Sequence, residues 1–566
     1  MLVDKEIDGV KIVLTSSSSE MSDYGNDPFK AFIAAFPSGI IPRKKLKNEF
    51  FINYDNPDGT AKFAQYGLRK VESLLLSRFS KEEVAVVHPD NLDKFVGKRT
   101  KVVGITTMDP MGLAYVSTTY SSIFGFGGES INSYEFKKVI NHPSIKKYQP
   151  KIIVGGSGAW QIDEAGYIDK YGIDSIVLGE AEKNIVEIFE KAVKGEKLEK
   201  VIKCTRPEPS EIPLIVHPAL YGVVEITRGC GRNCKFCSPT MRHKYSFPLD
   251  WIMKEVEVNI KQGADMIFTN TEDMFLYKSK ENFIPNREEV VKLYSTIAKY
   301  PGVKYIQLSH ASLAPVVYDP KLIEELTPIL MEKTRWTPAY NKDYKNPFIT
   351  VEVGIETGSV RLMEKYMRGK ALPYDIKNWQ EIVTQAIGIM NDYDWYPLAT
   401  IMTGLPDETE ADTIQTLELL DKLKDAKMFF TPILFIPLKD CMLSKERRVE
   451  LKFLNELQWD FIATCWKNNI NFWMPRVKRK VLFGSIFAYL AYYRWKHGPK
   501  MWNPVLKLSG LNETFIGRRI FKGCDYRYCS SERDGEFKPS LKQYEPTEKM
   551  PKRKRVKPKK SWRAHI

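Results

Sequence analysis

Three closely spaced cysteines constrain this 566-residue chain more than any other feature. Cys230, Cys234 and Cys237 lie in the run Thr-Arg-Gly-Cys-Gly-Arg-Asn-Cys-Lys-Phe-Cys. An iron-sulfur cubane that only carries electrons has four thiolate ligands, whereas this loop supplies three. One iron would stay open to a small molecule, and an open metal position is a catalytic position. The spacing therefore predicts a catalytic [4Fe-4S] cluster.

A structural zinc site is the alternative for the same cysteines. Such sites are closed by four ligands, usually arranged as two separated pairs. His243, six residues after Cys237, is the nearby candidate for a fourth ligand, and no further Cys or His has a suitable short spacing. The sequence favours the cluster.

The cysteine motif resembles the signature of the radical S-adenosylmethionine (SAM) family, in which an aromatic residue, here Phe236, precedes the last cysteine. The resemblance implies that SAM chelates the open iron and that the reduced cluster cleaves it to a 5'-deoxyadenosyl radical. That radical abstracts hydrogen from unactivated carbon. A reductant protein of the ferredoxin or flavodoxin type is the implied partner.

Length and composition bound the architecture. With 43% hydrophobic and 12% aromatic residues, the chain can bury several cores, and its length predicts three or four domains. Eight cysteines in so long a chain do not indicate a disulfide framework, and the N-terminus lacks the apolar stretch of a secretion signal. These features predict the reducing cytoplasm.

The first two hundred residues alternate short apolar runs with helical stretches, which predicts a doubly wound parallel sheet. The predicted strands are Val10 to Thr15, Val84 to His88, Val102 to Thr106, Ile152 to Gly155 and Ser175 to Leu178. Their endings resemble the cobalamin-binding-type domain that precedes many radical SAM cores. Cobalamin is not favoured, because no histidine near Asp109 could ligate cobalt, and His88 and His142 stand in other contexts. A domain that packs on the core is the alternative.

Six further strands predict a partial barrel, with the cysteine loop directly after the first. They are Gly222 to Thr227, Met266 to Thr269, Tyr305 to Leu308, Thr350 to Gly354, Leu398 to Met402 and Pro432 to Phe435. Loops at the carboxyl ends of parallel strands converge on one face of a barrel. The cysteines are therefore expected on a catalytic face.

The family resemblance implies SAM contacts at three more strand ends. The residues concerned are Asn270, Thr271, Glu272 and Asp273 for the amino group, Glu356 and Ser359 for the ribose or the substrate side, and Met402 and Gly404 for adenine. The first stretch lacks the glycines usually found there. An alternative role for Glu356 is that of an acid at a helix N-terminus.

Beyond Leu438 the chain becomes aromatic and basic. The apolar run Val481 to Tyr493 has cationic flanks and is too short to span a bilayer, which needs about 20 residues. It predicts a helix in the membrane interface, with a helix packed on the barrel as the alternative. The tail from Lys549 carries nine of the basic residues behind the net charge of +15 and no acid, which strengthens a membrane association. The predicted location is cytoplasmic, peripheral on the inner face of the cell membrane.

Together the patterns predict an α/β fold. It comprises an N-terminal doubly wound Rossmann-like domain, a central partial (β/α)6 radical SAM barrel and a mostly helical C-terminal extension. The predicted boundaries are 1–205 for the cobalamin-binding-type domain, 215–440 for the barrel, 441–548 for the extension and 549–566 for the polybasic tail.

This layout is similar to that of the archaeal tetraether lipid ring synthases. The resemblance implies a membrane lipid substrate and formation of cyclopentane rings by carbon-carbon bonding in an isoprenoid chain. A cobalamin-dependent radical SAM methyltransferase and a radical SAM RNA-modifying enzyme are the alternatives. Nucleic acid is not favoured as a partner, because the C-terminal part lacks the glycine-punctuated strands of a small RNA-binding barrel.

Five cysteines lie outside the loop: Cys204, Cys441, Cys465, Cys524 and Cys529. The last two could contribute to an auxiliary iron-sulfur cluster. Scattered cysteines are more often buried free thiols, so the auxiliary cluster is not favoured.

Overall fold

The computed structural model describes residues 7–39, 41–125, 129–239, 244–439, 441–449 and 453–474. The chain divides into two compact units. The first contains the residues up to Glu225 together with Phe247–Phe268, and the second contains Ile226–Ser246 together with the described residues from Thr269 onward. The cysteine loop belongs to the second unit.

The first unit is built on a six-stranded sheet in the order β2-β1-β3-β4-β5-β6, in which all neighbours pair in parallel. The strands are β1 (Ile12–Thr15), β2 (Val84–Val86), β3 (Val102–Thr106), β4 (Lys151–Gly155), β5 (Ser175–Leu178) and β6 (Val201–Lys203). The predicted doubly wound parallel sheet is confirmed, with β6 as an additional edge strand.

Helices connect these strands. The first unit also contains a short seventh strand and a further helix. The helices are α1 (Arg43–Lys45), α2 (Tyr66–Leu76), α3 (Leu92–Phe95), α4 (Tyr115–Gly125), α5 (Ile131–Ile140), α6 (Pro143–Tyr148), α7 (Trp160–Glu164), α8 (Ile168–Tyr171) and α9 (Ile185–Val193), followed by β7 (Val223–Glu225) and α10 (Leu249–Lys261).

Two apolar clusters cover the two faces of the six-stranded sheet. In β1, Ile12 and Leu14 belong to one cluster and Val13 to the other. Successive side chains of a strand point to opposite faces, so a strand buried on both faces reads as a continuous apolar run. This explains why short apolar runs identified the strands in the sequence.

The second unit contains a parallel four-stranded sheet in the order β12-β13-β14-β15 and an antiparallel pair of β8 with β9. Its strands are β8 (Thr227–Arg228), β9 (Tyr245–Ser246), the end of β10 (Met266–Asn270), β11 (Tyr305–Leu308), β12 (His310–Ala311), β13 (Glu352–Glu356), β14 (Leu398–Thr403) and β15 (Phe429–Leu434). All six strands predicted for the barrel are present, and the mixed α/β fold class is confirmed.

The helices of the second unit follow its strands in alternation. They are α11 (Arg287–Lys299), α12 (Ala314–Tyr318), α13 (Lys321–Glu332), α14 (Val360–Tyr366), α15 (Trp379–Asp392), α16 (Glu410–Lys422) and α17 (Glu456–Trp473). Helix α17 lies in the predicted helical extension and begins with a capping box of Asn455 and Gln458. The run Val481 to Tyr493, the polybasic tail, Cys524 and Cys529 lie outside the described residues. Within the described ranges, no helix is long and apolar enough to cross a membrane.

A buried ion pair ties α10 to α2 within the first unit. Lys70 Nζ lies 2.6 Å from Glu255 Oε1, with 5% and 0% of the two side chains exposed. Glu255 also accepts hydrogen bonds from the Tyr66 hydroxyl at 2.7 Å and from the Ile215 amide at 3.1 Å. Burial raises the pKa of Glu255, and Lys70 opposes this rise. The carboxylate thus satisfies three donors at one place in the core.

We expect Glu255→Leu to lower the free energy of unfolding by about 3–5 kcal/mol, because it leaves the Lys70 charge buried without its partner. Urea unfolding followed by circular dichroism measures this loss. The double variant Lys70→Met with Glu255→Leu should recover much of it, since both charges are then removed. Glu257→Leu, at a more exposed position of the same helix, is the control. Equal stability of the single and double variants would contradict the expectation.

Candidate active site

The cysteine loop, residues 229–237, follows β7 and β8 and buries its thiols. Cys230 and Cys234 are 8% and 3% exposed, and Cys237 is half-buried. Gly229, Gly231 and Asn233 have φ angles of 77°, 79° and 56°. Glycine adopts this left-handed region freely and asparagine tolerates it. The residue types between the cysteines therefore permit the winding path of the loop.

The environment of the thiols favours their protonated form in the metal-free chain. Burial raises the pKa of Cys230, an effect that the nearby Arg232 charge opposes. Burial also raises the pKa of Cys234 to about 12, with Lys370 opposing the rise. Metal coordination removes such protons, so the thiols would become charged on binding iron.

The donor set fits a cluster held by three thiols. Six cysteines lie in the described ranges, and three of them come from this loop. No group of three or more His, Cys, Asp or Glu in those ranges is gathered to hold a single metal ion. His243, the fourth ligand of the zinc alternative, lies outside the described residues.

Arg232 anchors the cysteine loop from within. Its guanidinium is buried, at 4% exposure, and lies 3.3 Å from Asp273 Oδ2. It also donates to the Gly369 carbonyl at 2.7 Å and to Ser312 Oγ at 3.0 Å. Asp273 accepts further hydrogen bonds from the amides of Phe275 and Ser312. One buried guanidinium thus connects the loop to the segments that follow β10, β12 and α14.

A second cation beside the cysteines is Lys370, whose side chain is 14% exposed. Its ammonium pairs with Glu356 and donates to the Gly354 carbonyl at 2.7 Å. Glu356 is 6% exposed and has a φ of 63°, and its side chain turns back to this lysine. The two acids predicted to contact SAM, Asp273 and Glu356, therefore both pair with a cation.

The other predicted SAM-contacting residues stand at the ends of β10 and β13 and in β14. Asn270 is exposed, Glu272 is half-buried, and the Thr271 amide donates to Ser309 Oγ at 3.0 Å. Ser359 is fully buried and caps α14 by accepting from the Leu362 amide at 3.2 Å. Contact of any of these residues with SAM stays a prediction.

Three predicted residues have clear packing roles. Phe236 and Met402 are buried, at 7% and 3% exposure. Gly404 has a φ of 85°, and a Cβ there would lie 2.3 Å from Val449 Cγ2. Glycine is thus required at this turn for both backbone and steric reasons.

A basic cavity of about 670 Å³ adjoins the cysteine loop. Its walls include residues 231–233 and the aromatic residues Phe283 and Tyr366. Lys235 and Arg368 contribute positive charge, Lys365 pairs with Asp407, and Glu364 is the carboxylate in the lining. The size falls within the range of small-ligand sites, and the charge favours an anionic group.

In the first unit, the loops after β1 and β3 meet at the point where the strand order reverses. Glu20 fills this point, and its carboxylate accepts from Ser16 Oγ at 2.7 Å and from the Met108 amide at 2.9 Å. Asp109 accepts from Gln161 Nε2 at 2.8 Å and from the Ala114 amide at 3.0 Å. These residues offer hydrogen-bonded carboxyl oxygens and no imidazole to a cobalt ion. Cobalamin binding without such a ligand stays a possibility that the sequence did not favour.

The remaining described cysteines lie among apolar residues or in hydrogen bonds. Cys204 packs against an apolar cluster of the first unit. In the second unit the Cys441 thiol donates to the Leu438 carbonyl at 3.1 Å, and Cys465 is fully buried in α17. The auxiliary cluster, for which Cys524 and Cys529 were candidates outside the described residues, stays an alternative that the sequence did not favour.

Sequence reasoning missed Arg232 and Lys370. Arg232 offered a signal, because an arginine enclosed between two predicted metal ligands must be buried with them and requires a carboxylate. Lys370 offered none, since it lies fourteen positions after Glu356 and beyond α14, where no local pattern links the two residues.

The chain is similar to two methylthio-transferring enzymes. No protein-family model matches it. Ribosomal protein uS12 methylthiotransferase RimO of Clostridioides difficile is 24% identical over 301 residues, which are 52% of this chain and 62% of that relative. The tRNA-2-methylthio-N(6)-dimethylallyladenosine synthase of Thermotoga petrophila is 22% identical over 323 residues, which are 55% of this chain and 67% of that relative. The chain thus spans less than two thirds of the first relative.

The chain is also similar to a solved structure, that of TsrM from Kitasatospora setae, a radical S-adenosylmethionine methyltransferase with cobalamin and a [4Fe-4S] cluster bound. The two structures compare with a TM-score of 0.49 and 14% sequence identity, and the comparison covers 77% of each chain.

We expect Asp273→Asn to reduce iron retention at least several-fold, because the buried Arg232 charge loses its partner at a cost of about 3–5 kcal/mol. Iron and sulfide analysis after anaerobic reconstitution measures the effect. Glu281→Gln, an exposed acid in the loop after β10, is the matched control. Full iron content in Asp273→Asn would show that the pair does not hold the loop.

Gly369→Ala tests the same anchor from the opposite side. An added Cβ would lie 2.1 Å from the Arg232 carbonyl oxygen, so the loop or the segment after α14 must move. We expect iron content to fall with secondary structure unchanged by circular dichroism. Gly67→Ala, where no atom lies within 4 Å of the added Cβ, should leave iron content unchanged. If Gly369→Ala retains the wild-type iron content, the result would argue against a fixed loop.

Proposed function

We propose that this chain is a radical SAM enzyme that replaces a hydrogen on an unactivated carbon with a methyl or methylthio group, with SAM as the methyl donor and, for the methylthio group, sulfide as the sulfur source. The observation that carries the proposal is the loop after β7 and β8 that carries three cysteines, two of them buried and one half-buried, and that is held by Arg232. Three thiols leave one iron of a cubane open. The names of the curated relatives support transfer of a methylthio group.

Different residues of the second unit would have different roles in the site. Cys230, Cys234 and Cys237 would hold a [4Fe-4S] cluster, which with SAM supplies a 5'-deoxyadenosyl radical when it is reduced. Arg232 and Lys370 would fix the loop, and their positive charges would partly offset the thiolates. Buried surroundings exclude water, which protects a reactive carbon radical from side reactions.

The basic cavity beside the loop supports an anionic substrate. Lys235, Lys365 and Arg368 line it together with Phe283 and Tyr366. Cations that contact phosphates and rings on which bases stack are the two elements of single-stranded RNA recognition. The name of one relative specifies a tRNA product. A tRNA is therefore the first substrate to test, in contrast to the sequence prediction that nucleic acid is not a partner.

Lipid ring formation, the function predicted from the layout of the sequence, is not carried into this proposal. The apolar run and the polybasic tail on which it depended lie outside the described residues. A membrane lipid remains an alternative substrate, which the same assay can detect.

The test is an anaerobic assay of the reconstituted full-length protein with SAM and dithionite. We expect 5'-deoxyadenosine release that rises several-fold with bulk tRNA, together with a methylated or methylthiolated nucleoside detected by mass spectrometry. The triple variant Cys230→Ala, Cys234→Ala and Cys237→Ala should lose both products, because no thiolate then holds the cluster.

Cys204→Ala, which removes a thiol of the first unit, is the matched control and should retain activity. Release stimulated by tetraether lipid and not by tRNA would restore the lipid prediction. A protein with full iron content that does not cleave SAM would overturn the proposed class.

A further inference from the structure

A second basic cavity lies in the first unit and contains no residue used by the proposed reaction. Its volume is about 230 Å³. The lining comes from the loop after β1, from α1 and the turn that follows it, from the loop after β2, and from α5. In open α/β sheets, ligands bind outside the carboxyl ends of the strands. The cavity adjoins the carboxyl ends of β1 and β2 and so lies where such a sheet accommodates a ligand.

The charge of this cavity is positive. Arg43, Lys44, Lys47 and Lys138 line it, together with the carboxylates of Asp90 and Glu135. Lys47 pairs with Asp90 at 2.9 Å and Lys138 with Glu135 at 2.7 Å. Four cations against two carboxylates leave a surplus of two positive charges, carried by Arg43 and Lys44.

An unsatisfied hydrogen-bond donor lies in the wall of the same cavity. His88 is 98% buried, and its Nδ1 accepts the Asp90 amide at 3.2 Å. Burial lowers the pKa of His88 to about 4, so the ring is neutral and its proton is on Nε2. Nε2 has no hydrogen-bond partner among the described residues. Buried polar groups nearly always have a partner, and the missing partner here must be an acceptor.

The hydrogen-bond donor of His88 and the surplus of positive charge favour the same kind of ligand. Such a ligand accepts hydrogen bonds and carries negative charge. A phosphate monoester carries about −1.5 to −2 at pH 7, and Arg and Lys are common phosphate-binding residues. Ser18 and Asn48 add polar side chains to the wall. The volume accommodates a phosphoryl group with a small substituent.

We propose that this cavity binds inorganic phosphate or a phosphate monoester, with Arg43 and Lys44 as the charged contacts and His88 as a buried donor. The site is independent of the cysteine loop and of the proposed reaction. The ligand would lie at the carboxyl ends of β1 and β2. The point where the strand order reverses is instead occupied by Glu20.

Isothermal titration of the full-length protein with inorganic phosphate tests the proposal, at constant ionic strength maintained with sodium chloride. We expect saturable binding to the wild type and binding at least about tenfold weaker in the double variant Arg43→Gln with Lys44→Gln, since each charge-assisted contact contributes substantially. Lys146→Gln with Lys147→Gln, two exposed lysines on α6, is the charge-matched control and should bind as the wild type does.

His88→Gln tests the buried donor, with circular dichroism to verify folding. Weakened phosphate binding by a folded His88→Gln supports its role. If His88→Gln does not fold, phosphate binding by the single variant Lys44→Gln, at an exposed position, is measured instead. Wild-type affinity for phosphate in that variant overturns the proposal. Absence of binding to the wild type at millimolar phosphate, or equal affinity in the double variant and the control, also overturns it.

Parallel titrations with glycerol phosphate and AMP identify the source of the phosphoryl group. Tighter binding of an ester than of inorganic phosphate assigns the site to a phosphate monoester, and the reverse order assigns it to the free ion. Both orders support the proposal.

Discussion

The arrangement of the second unit depends on the need to pair charges that are buried beside the thiols. A guanidinium or an ammonium removed from water is costly unless a carboxylate and further acceptors surround it. Arg232 meets this need with Asp273 and the Gly369 carbonyl, and Lys370 meets it with Glu356 and the Gly354 carbonyl. The path of the cysteine loop is therefore determined by segments that lie far apart in the sequence.

The sequence predicted the strands well because a parallel sheet covered on both faces needs continuous apolar runs. Strands β3, β5 and β11 have the predicted bounds, and the others differ by a few residues at their ends. Strand β6 was missed because it has three residues and two of them are half-buried. An edge strand of this kind carries no apolar run from which it could be recognised.

The sequence predicted the site only where the chemistry requires a fixed spacing between residues. Three cysteines that share a cluster must lie close in one loop, so their spacing carries information. The partner of a buried charge can come from any segment of the fold, as Asp273 does at forty-one residues from Arg232. For the same reason, the sequence indicated Asp273 and Glu356 as ligand contacts, whereas the structure adds a pairing role that no local pattern encodes.

The buried cations and the exposed ones serve different purposes. Arg232 and Lys370 are each paired with a carboxylate away from the surface, so their charge is largely neutralised locally. Lys235, Lys365 and Arg368 lie at the wall of the cavity beside the loop, where Arg368 is exposed and Lys365 is exposed and paired with Asp407. Charges in such positions attract an anionic partner over a range set by the ionic strength. Recognition beside the loop should therefore weaken with added salt, whereas the buried pairs that hold the loop in place should be much less affected.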